Sequence, residues 1–289
     1  MAIEGLSIIG ESINDSVPST QGIFEANDID GLLALAKKQD EKGAAFIDVN
    51  IGRRTPDFMA EMITKVQSVT TKPLVVDTPD YEIAAAGLKA YDTAKAGGAL
   101  PVLNSISPLR PELFDLYKEV PFRPILMVSE RMEGTSPQPN KTAEETYQTT
   151  KSMLKEIRDR GLDIPVSDCI IDTGIAPIGS DCEDQLKRVL DSLKLIHDDP
   201  ECAGIHASVG LSNFTVMLPP KRPDGMPIKS ALESAFLTMA MPLGLDMVIG
   251  SVARKYETLP EDHPAMACLR DVIKMGGFDA LTRVIEFYS

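Results

Sequence analysis

The chain has 289 residues, 43% of them apolar, and its 29 Lys and Arg against 43 Asp and Glu give a net charge of −14. That length suits one α/β barrel or two small domains, and the apolar share is enough for a large core. The negative balance argues against nucleic acid or an anionic membrane as partner, and no stretch approaches the ~18 consecutive apolar residues of a membrane span.

In chain order, Leu6-Ser-Ile-Ile-Gly10 is a short apolar run followed at once by Glu11-Ser-Ile-Asn14. A loop then leads to a helix from about Ile29, with Leu32, Leu33 and Ala36 on one face and Gly43 as its stop. Ala45-Phe-Ile-Asp-Val-Asn50 is the second strand, and a helix follows from Pro56, a residue suited to a first helical turn. The third strand, Pro73-Leu-Val-Val-Asp77, precedes a helix from Asp80 through Leu88. Leu100-Pro-Val-Leu-Asn104 and Arg123-Pro-Ile-Leu-Met-Val128 are the fourth and fifth strands, the latter running into Ser129-Glu130. Thr142-Ala-Glu-Glu145 has the pattern of a capping box and opens a long helix that ends at Gly161.

Cys169-Ile-Ile-Asp172 is the sixth strand, and Ser180-Asp-Cys-Glu183 predicts a second capping box for a helix burying Leu186, Leu190 and Leu193. Gly204 to Val209 is the seventh strand, and Gly210 allows a tight turn that delivers Ser212 and Asn213 just past its end. A Pro-rich insertion, Pro219 to Pro227, leads to an apolar helix over 231–243. Asp246-Met-Val-Ile-Gly250 is the eighth strand, and helical sequence from about Pro264 completes the chain.

Continuous apolar runs belong to parallel strands buried on both faces. Eight βα units in this length predict a TIM (β/α)8 barrel over residues 1–289 as a single domain, with the active site at the C-terminal strand ends. A doubly wound open sheet is the alternative, but no G-x-G-x-x-G follows the first strand. Cys169, Cys182, Cys202 and Cys268 show no C-x-x-C spacing, which predicts reduced thiols of a cytoplasmic protein, without a disulfide framework or a zinc site. The N-terminus has no positively charged stretch before its short apolar run, so no signal peptide is expected.

The strand ends carry Glu11 and Asn14, Asp48 and Asn50, Asp77, Asn104, Ser129 and Glu130, Asp172, Ser212 and Asn213, and Ser251. Each taken singly reads equally as a helix cap or turn residue. Together they form a ring of carboxylates and amides without a lysine, arginine or histidine. Such a lining suits a ligand rich in N–H donors, and a pterin presents one edge of that kind through its 2-amino group, N3–H and N8–H. A divalent cation is the competing ligand, because carboxylate and carbonyl oxygens also bind Mg²⁺.

The chain resembles the pterin-binding barrels, and within them the methyltetrahydrofolate:corrinoid-protein methyltransferases. The markers are Ile9-Gly-Glu-Ser-Ile-Asn14, Ile47-Asp-Val-Asn-Ile-Gly52, Val76-Asp-Thr78, Asn104-Ser105, Ile171-Asp172, Gly210-Leu-Ser-Asn213 and Phe236-Leu-Thr-Met-Ala-Met241. The resemblance implies that Asp77, Asn104 and Asp172 hold the pterin and that Asn213 faces the N5 nitrogen bearing the methyl group. It also implies tetrahydrofolate or methyltetrahydrofolate as substrate, a corrinoid (cobalamin) supplied by a partner protein, no metal, and a cytoplasmic homodimer. Val216 stands where the family's pattern has a polar glutamine, and the 219–227 loop is longer and differently composed.

Two rivals share the ring. Dihydropteroate synthase condenses a pterin pyrophosphate and needs a basic cluster near the last strands; Ile249-Gly-Ser-Val-Ala-Arg-Lys255 lacks the expected Arg-x-His arrangement. Lys221 and Arg222 are candidates for a folate glutamate tail or a partner, or are a solvated pair. A non-catalytic folate-binding subunit is the other rival. None of the three histidines lies in an Asp-x-His-x-x-Gly cobalamin signature, which predicts a separate corrinoid protein as partner.

Overall fold

Val, Ile and Leu runs buried on both faces leave parallel pairing as the way to satisfy their backbone groups. The computed structural model of the chain describes residues 3–181 and 183–289. Its main strands are β1 (Ser7–Asn14), β2 (Phe46–Asn50), β3 (Leu74–Asp77), β4 (Val102–Ile106) and β5 (Arg123–Met127). An antiparallel hairpin of β6 (Glu130–Glu133) and β7 (Ser136–Pro139) intervenes before β8 (Ile170–Asp172), β9 (His206–Ser208) and β10 (Met247–Gly250). The parallel strands neighbour one another in the order β10-β1-β2-β3-β4-β5-β8-β9. Across the remaining gap, Ile249 N–H donates to the Val209 carbonyl at 3.0 Å and Asp246 N–H to that of Ala207 at 3.3 Å. Those bonds bring the two edges together as a TIM barrel.

The helices are α1 (Pro18–Glu25), α2 (Ile29–Glu41), α3 (Pro56–Val66), α4 (Tyr81–Ala90), α5 (Ala143–Asp159), α6 (Gln185–Asp198), α7 (Leu211–Phe214), α8 (Ile228–Ala240), α9 (Pro264–Met275) and α10 (Gly277–Tyr288). The capping box of α5 is present, with Glu145 N–H donating to Thr142 Oγ1 at 3.1 Å and Thr142 N–H donating back to Glu145 Oε2 at 3.0 Å. The box expected at the start of α6 is not how that helix begins. Asp181 instead accepts from the N–H groups of Glu183, Gln185 and Leu186, so its carboxylate satisfies several free donors and the helix starts at Gln185, four residues later than the box predicts. Cys182 lies outside the described residues; Cys169, Cys202 and Cys268 are buried free thiols.

Three segments depart from the sequence expectation. The loop after β1 contains α1, opened by Pro18 at its first position. The β6–β7 hairpin was not anticipated because Pro137 and Pro139 argue against a strand, yet a two-stranded ribbon is all edge and tolerates them. Residues Pro111–Lys118, to which the sequence reading assigned no element, form a 3₁₀ helix between β4 and β5.

Side chains alternate across a strand, so each strand divides its residues between two cores. Ile9, Val75, Val102, Ile125, Ile170 and Met247 fill the barrel interior. Their neighbours Ile47, Val49, Val76, Leu103, Leu126 and Ile171 pack outward among the helices. The barrel is therefore a packed plug, and the C-terminal end is the face left for polar groups.

Candidate active site

Two residues beyond the interior layer, the same strand face reaches the barrel's C-terminal end. Val75 leads to Asp77, Val102 to Asn104, Ile170 to Asp172, Ile9 to Glu11, and Phe46 to Asp48 and then Asn50. Asp77 and Asn104 are register partners, as are Met127 with Asp172 and Asp172 with Ser208. Met127 and Ser208 thus join the ring although the sequence reading passed over both. One is apolar, and the other lies two residues before the glycine turn that drew attention.

Asn50 Nδ2 donates to Asp77 Oδ2 at 2.9 Å, and the Asn50 amide oxygen accepts from Gly52 N–H at 2.9 Å. Asp48 is 1% exposed and its Oδ1 has no partner. Burial pushes the Asp48 carboxyl well above the ordinary carboxylate range, and the charges of Asp77 and Glu11 push it further. Burial also raises Asp77 to about 6, against the lowering effect of bonds from Asn50 and Asp48. Asp172 is raised to about 6 by burial, which outweighs the Gly174 N–H at 2.7 Å from Oδ1 and the charge of Arg188. Burial likewise raises Glu11, against a bond from Ser212 and the charge of Arg254.

Thr173 Oγ1, Ser208 Oγ and Tyr256 Oη, at or beyond the ends of β8, β9 and β10, are also buried without partners. Tyr256 aims its hydroxyl to within 3.2 Å of where a Cβ on Gly250 would stand. Buried polar groups in folded proteins nearly always find partners. Unpartnered oxygens gathered at one barrel end, beside carboxyls whose pKa burial raises, mark a candidate site for a polar ligand.

The turn after β9 is the other half of the site. In α7, Ser212 Oγ donates to Glu11 Oε1, tying the turn to β1. Asn213 is exposed, and its side chain makes no hydrogen bond among the described residues. Its Nδ2 sits 2.8 Å from where a Cβ on Gly210 would stand, so the glycine gives the amide its place. Asn14 is committed differently: its amide oxygen accepts from Ser16 N–H at 2.8 Å in the loop beyond β1. Beside Asp172, a cavity of about 450 Å³ opens between the hairpin and the 174–176 loop, with Ser129, Asn140 and Arg188 among its walls.

The nearby arginines are engaged. Arg188 donates to the carbonyls of Thr173 at 2.8 Å and Gly174 at 3.0 Å, and to Thr146 Oγ1 at 3.0 Å. Arg254 pairs with the buried Glu233. Of the loop cations, Arg222 lies over the Phe287 ring at 5.3 Å and 3.4 Å from Asp224, which makes it a structural clasp.

Carboxylates and amides thus converge at the C-terminal ends of a parallel barrel, the face where such barrels carry their sites. The chain belongs to the pterin-binding enzymes: the family model described as "Pterin binding enzyme" matches residues 13–250. A curated relative, methylcorrinoid:tetrahydrofolate methyltransferase of Eubacterium limosum, is 26% identical over 250 residues, covering 84% of this chain and 83% of that protein. Among solved structures, Xanthomonas albilineans dihydropteroate synthase with 4-aminobenzoic acid aligns with a TM-score of 0.56 at 18% identity, over 84% of this chain and 86% of that one. The same enzyme with indole-2-carboxylic acid and 6-chloroguanine gives a TM-score of 0.57 at 17% identity, over 95% and 96%. At those identities the structures establish the barrel fold. No helix among the described residues is long and apolar enough to cross a membrane.

Proposed function

We propose that this barrel moves a methyl group between N5 of tetrahydrofolate and the cobalt of a corrinoid carried by a separate protein. The observation that carries the reading is the pairing of a buried acid-amide ring with an unengaged amide, Asn213, on the turn beside it. The E. limosum relative supports this choice of chemistry over others in the family. The engagement of Arg188 and Arg254 weighs against dihydropteroate synthesis, which must hold a pyrophosphate.

In this reading Asp77, Asn104 and Asp172 accept and donate along the pterin's amino-pyrimidine edge. Asp48, Asn50 and Ser208 satisfy the remaining ring groups, and Met127 supplies apolar contact. The orphaned Asp48 Oδ1 and Ser208 Oγ fit a ligand of mixed donors and acceptors. The corrinoid supplies a metal centre that exchanges a methyl cation equivalent. The protein's task is at N5. That nitrogen is a poor leaving group unless it is protonated or hydrogen-bonded, and its N–H proton must leave in the opposite direction. An amide can present its carbonyl to an N5–H or its NH₂ to the N5 lone pair, so Asn213 serves both directions by rotating.

Calorimetry with methyltetrahydrofolate, with and without a chelator, should give one site per barrel and the same affinity in both. A chelator-sensitive titration would mean that the carboxylates bind a cation. Formation of dihydropteroate from 4-aminobenzoate and an activated pterin would instead assign the chain to synthase chemistry.

A further inference from the structure

Asn213 has no hydrogen bond of its own, so its direction depends on whatever fixes the backbone of its turn. That backbone is held by an unusual node. Glu233 lies on α8 among Leu232, Ala235, Phe236 and Leu237 and is fully buried. Burying a carboxylate costs several kcal/mol unless charged or hydrogen-bonding partners offset it. The partners here are the Thr215 hydroxyl and the Arg254 guanidinium, both donating to Glu233 Oε1. Thr215, itself fully buried, ends the turn that carries Asn213, and Arg254 also approaches its Oγ1 at 3.4 Å. Between them, Phe214 packs on Phe236 with ring centroids 5.3 Å apart. A four-residue helix, already tied to β1 through Ser212, is thus joined at its other end to α8 and to the segment after β10 by an ion pair whose carboxylate is fully buried.

We propose that Glu233 is a positioning residue for methyl transfer: with Arg254 it clamps Thr215 and so fixes the Asn213 amide. The proposal rests on the methyl-transfer reading. It explains why a charge is retained in an apolar helix, since a hydrophobic isostere would hold α8 in place equally well but could not fix a polar turn. Small displacements of an aligned group cost up to about 10²-fold in rate.

Glu233→Gln should slow single-turnover methyl transfer roughly ten- to a hundredfold and leave the Kd for methyltetrahydrofolate unchanged. Amide hydrogen exchange over 211–217 should rise in the same variant. In an Asn213→Ala background, Glu233→Gln should cost less than about twofold more, because the group being positioned is already gone. Thr215→Val, which leaves the Glu233–Arg254 pair intact, should reproduce the loss, and Thr215→Ser should restore the rate; this pair carries the test if the Glu233 variant does not fold. Unchanged rates in both Glu233→Gln and Thr215→Val, or equal losses with and without Asn213, would overturn the proposal. Absence of transfer by the wild-type chain would overturn the methyl-transfer reading itself, and the proposal with it.

Discussion

Asn213→Ala lowers the methyl-transfer rate by about 10²–10³, the effect of removing one pre-aligned donor, and changes the Kd for methyltetrahydrofolate little. The expectation follows from where the charge changes. In the ground state N5 is a neutral amine and gains little from a neighbouring amide; as the N–C bond breaks, the nitrogen gathers electron density and the hydrogen bond strengthens. Only such differential stabilisation raises the rate. Asn213 suits a clean test, because its exposed side chain makes no hydrogen bond whose loss would weaken the fold. Gly210→Ala provides a companion: the new Cβ would stand 2.8 Å from Asn213 Nδ2 and must push the amide aside while leaving its chemistry intact. Rapid-quench rates and calorimetric Kd values on the same preparations decide the matter. Equal losses of rate and affinity in Asn213→Ala would assign the residue to ground-state binding.

Asp172→Asn is expected to make the unliganded protein more stable and the ligand weaker. Burial raises the Asp172 carboxyl from 3.8 to about 6. A folded acid with a raised pKa favours folding most when protonated, below its unfolded pKa of about 3.8. That stabilisation is lost as pH climbs from about 4 to about 6, so above pH 6 the ionised group sets stability about 3 kcal/mol lower than a neutral side chain would. Asparagine keeps an acceptor for the Gly174 N–H and carries no charge. Above pH 6 the variant should therefore melt roughly 5 °C higher, and the difference should vanish near pH 4. Pterin affinity should fall by about 1.5–3 kcal/mol, as for loss of a hydrogen bond to a charged group. A lower melting temperature at pH 7.5, or unchanged affinity, would remove Asp172 from the binding ring.

Much of this site was legible because a strand's period of two is rigid. Once Val75, Val102 and Ile170 are interior, Asp77, Asn104 and Asp172 must face the mouth, and no tertiary information is needed. Met127 obeys the same rule but carries no polar atom to attract a functional reading. The Glu233–Thr215–Arg254 node was not legible. Its members are 18 and 21 residues apart across separate elements, and a glutamate in an otherwise apolar helix reads as a solvent-facing position. The start of α6 was misread because Asp181 caps from outside the expected frame. The β6–β7 hairpin was missed because its prolines mask a strand that pairs on one edge.

The most direct test of the methyl-transfer account is the cobalt spectrum when this chain is mixed with tetrahydrofolate and a methylated corrinoid protein. Nucleophilic N5 takes the methyl group as a cation equivalent, its proton goes to solvent, and the bond's electron pair stays on the metal. The account predicts rapid appearance of Co(I) in step with methyltetrahydrofolate, dependent on the chain and slowed by about 10²–10³ in Asn213→Ala. A methyl–cobalt spectrum unchanged by the wild-type chain, while the pterin binds normally, would contradict it and leave a pterin-binding barrel with different chemistry.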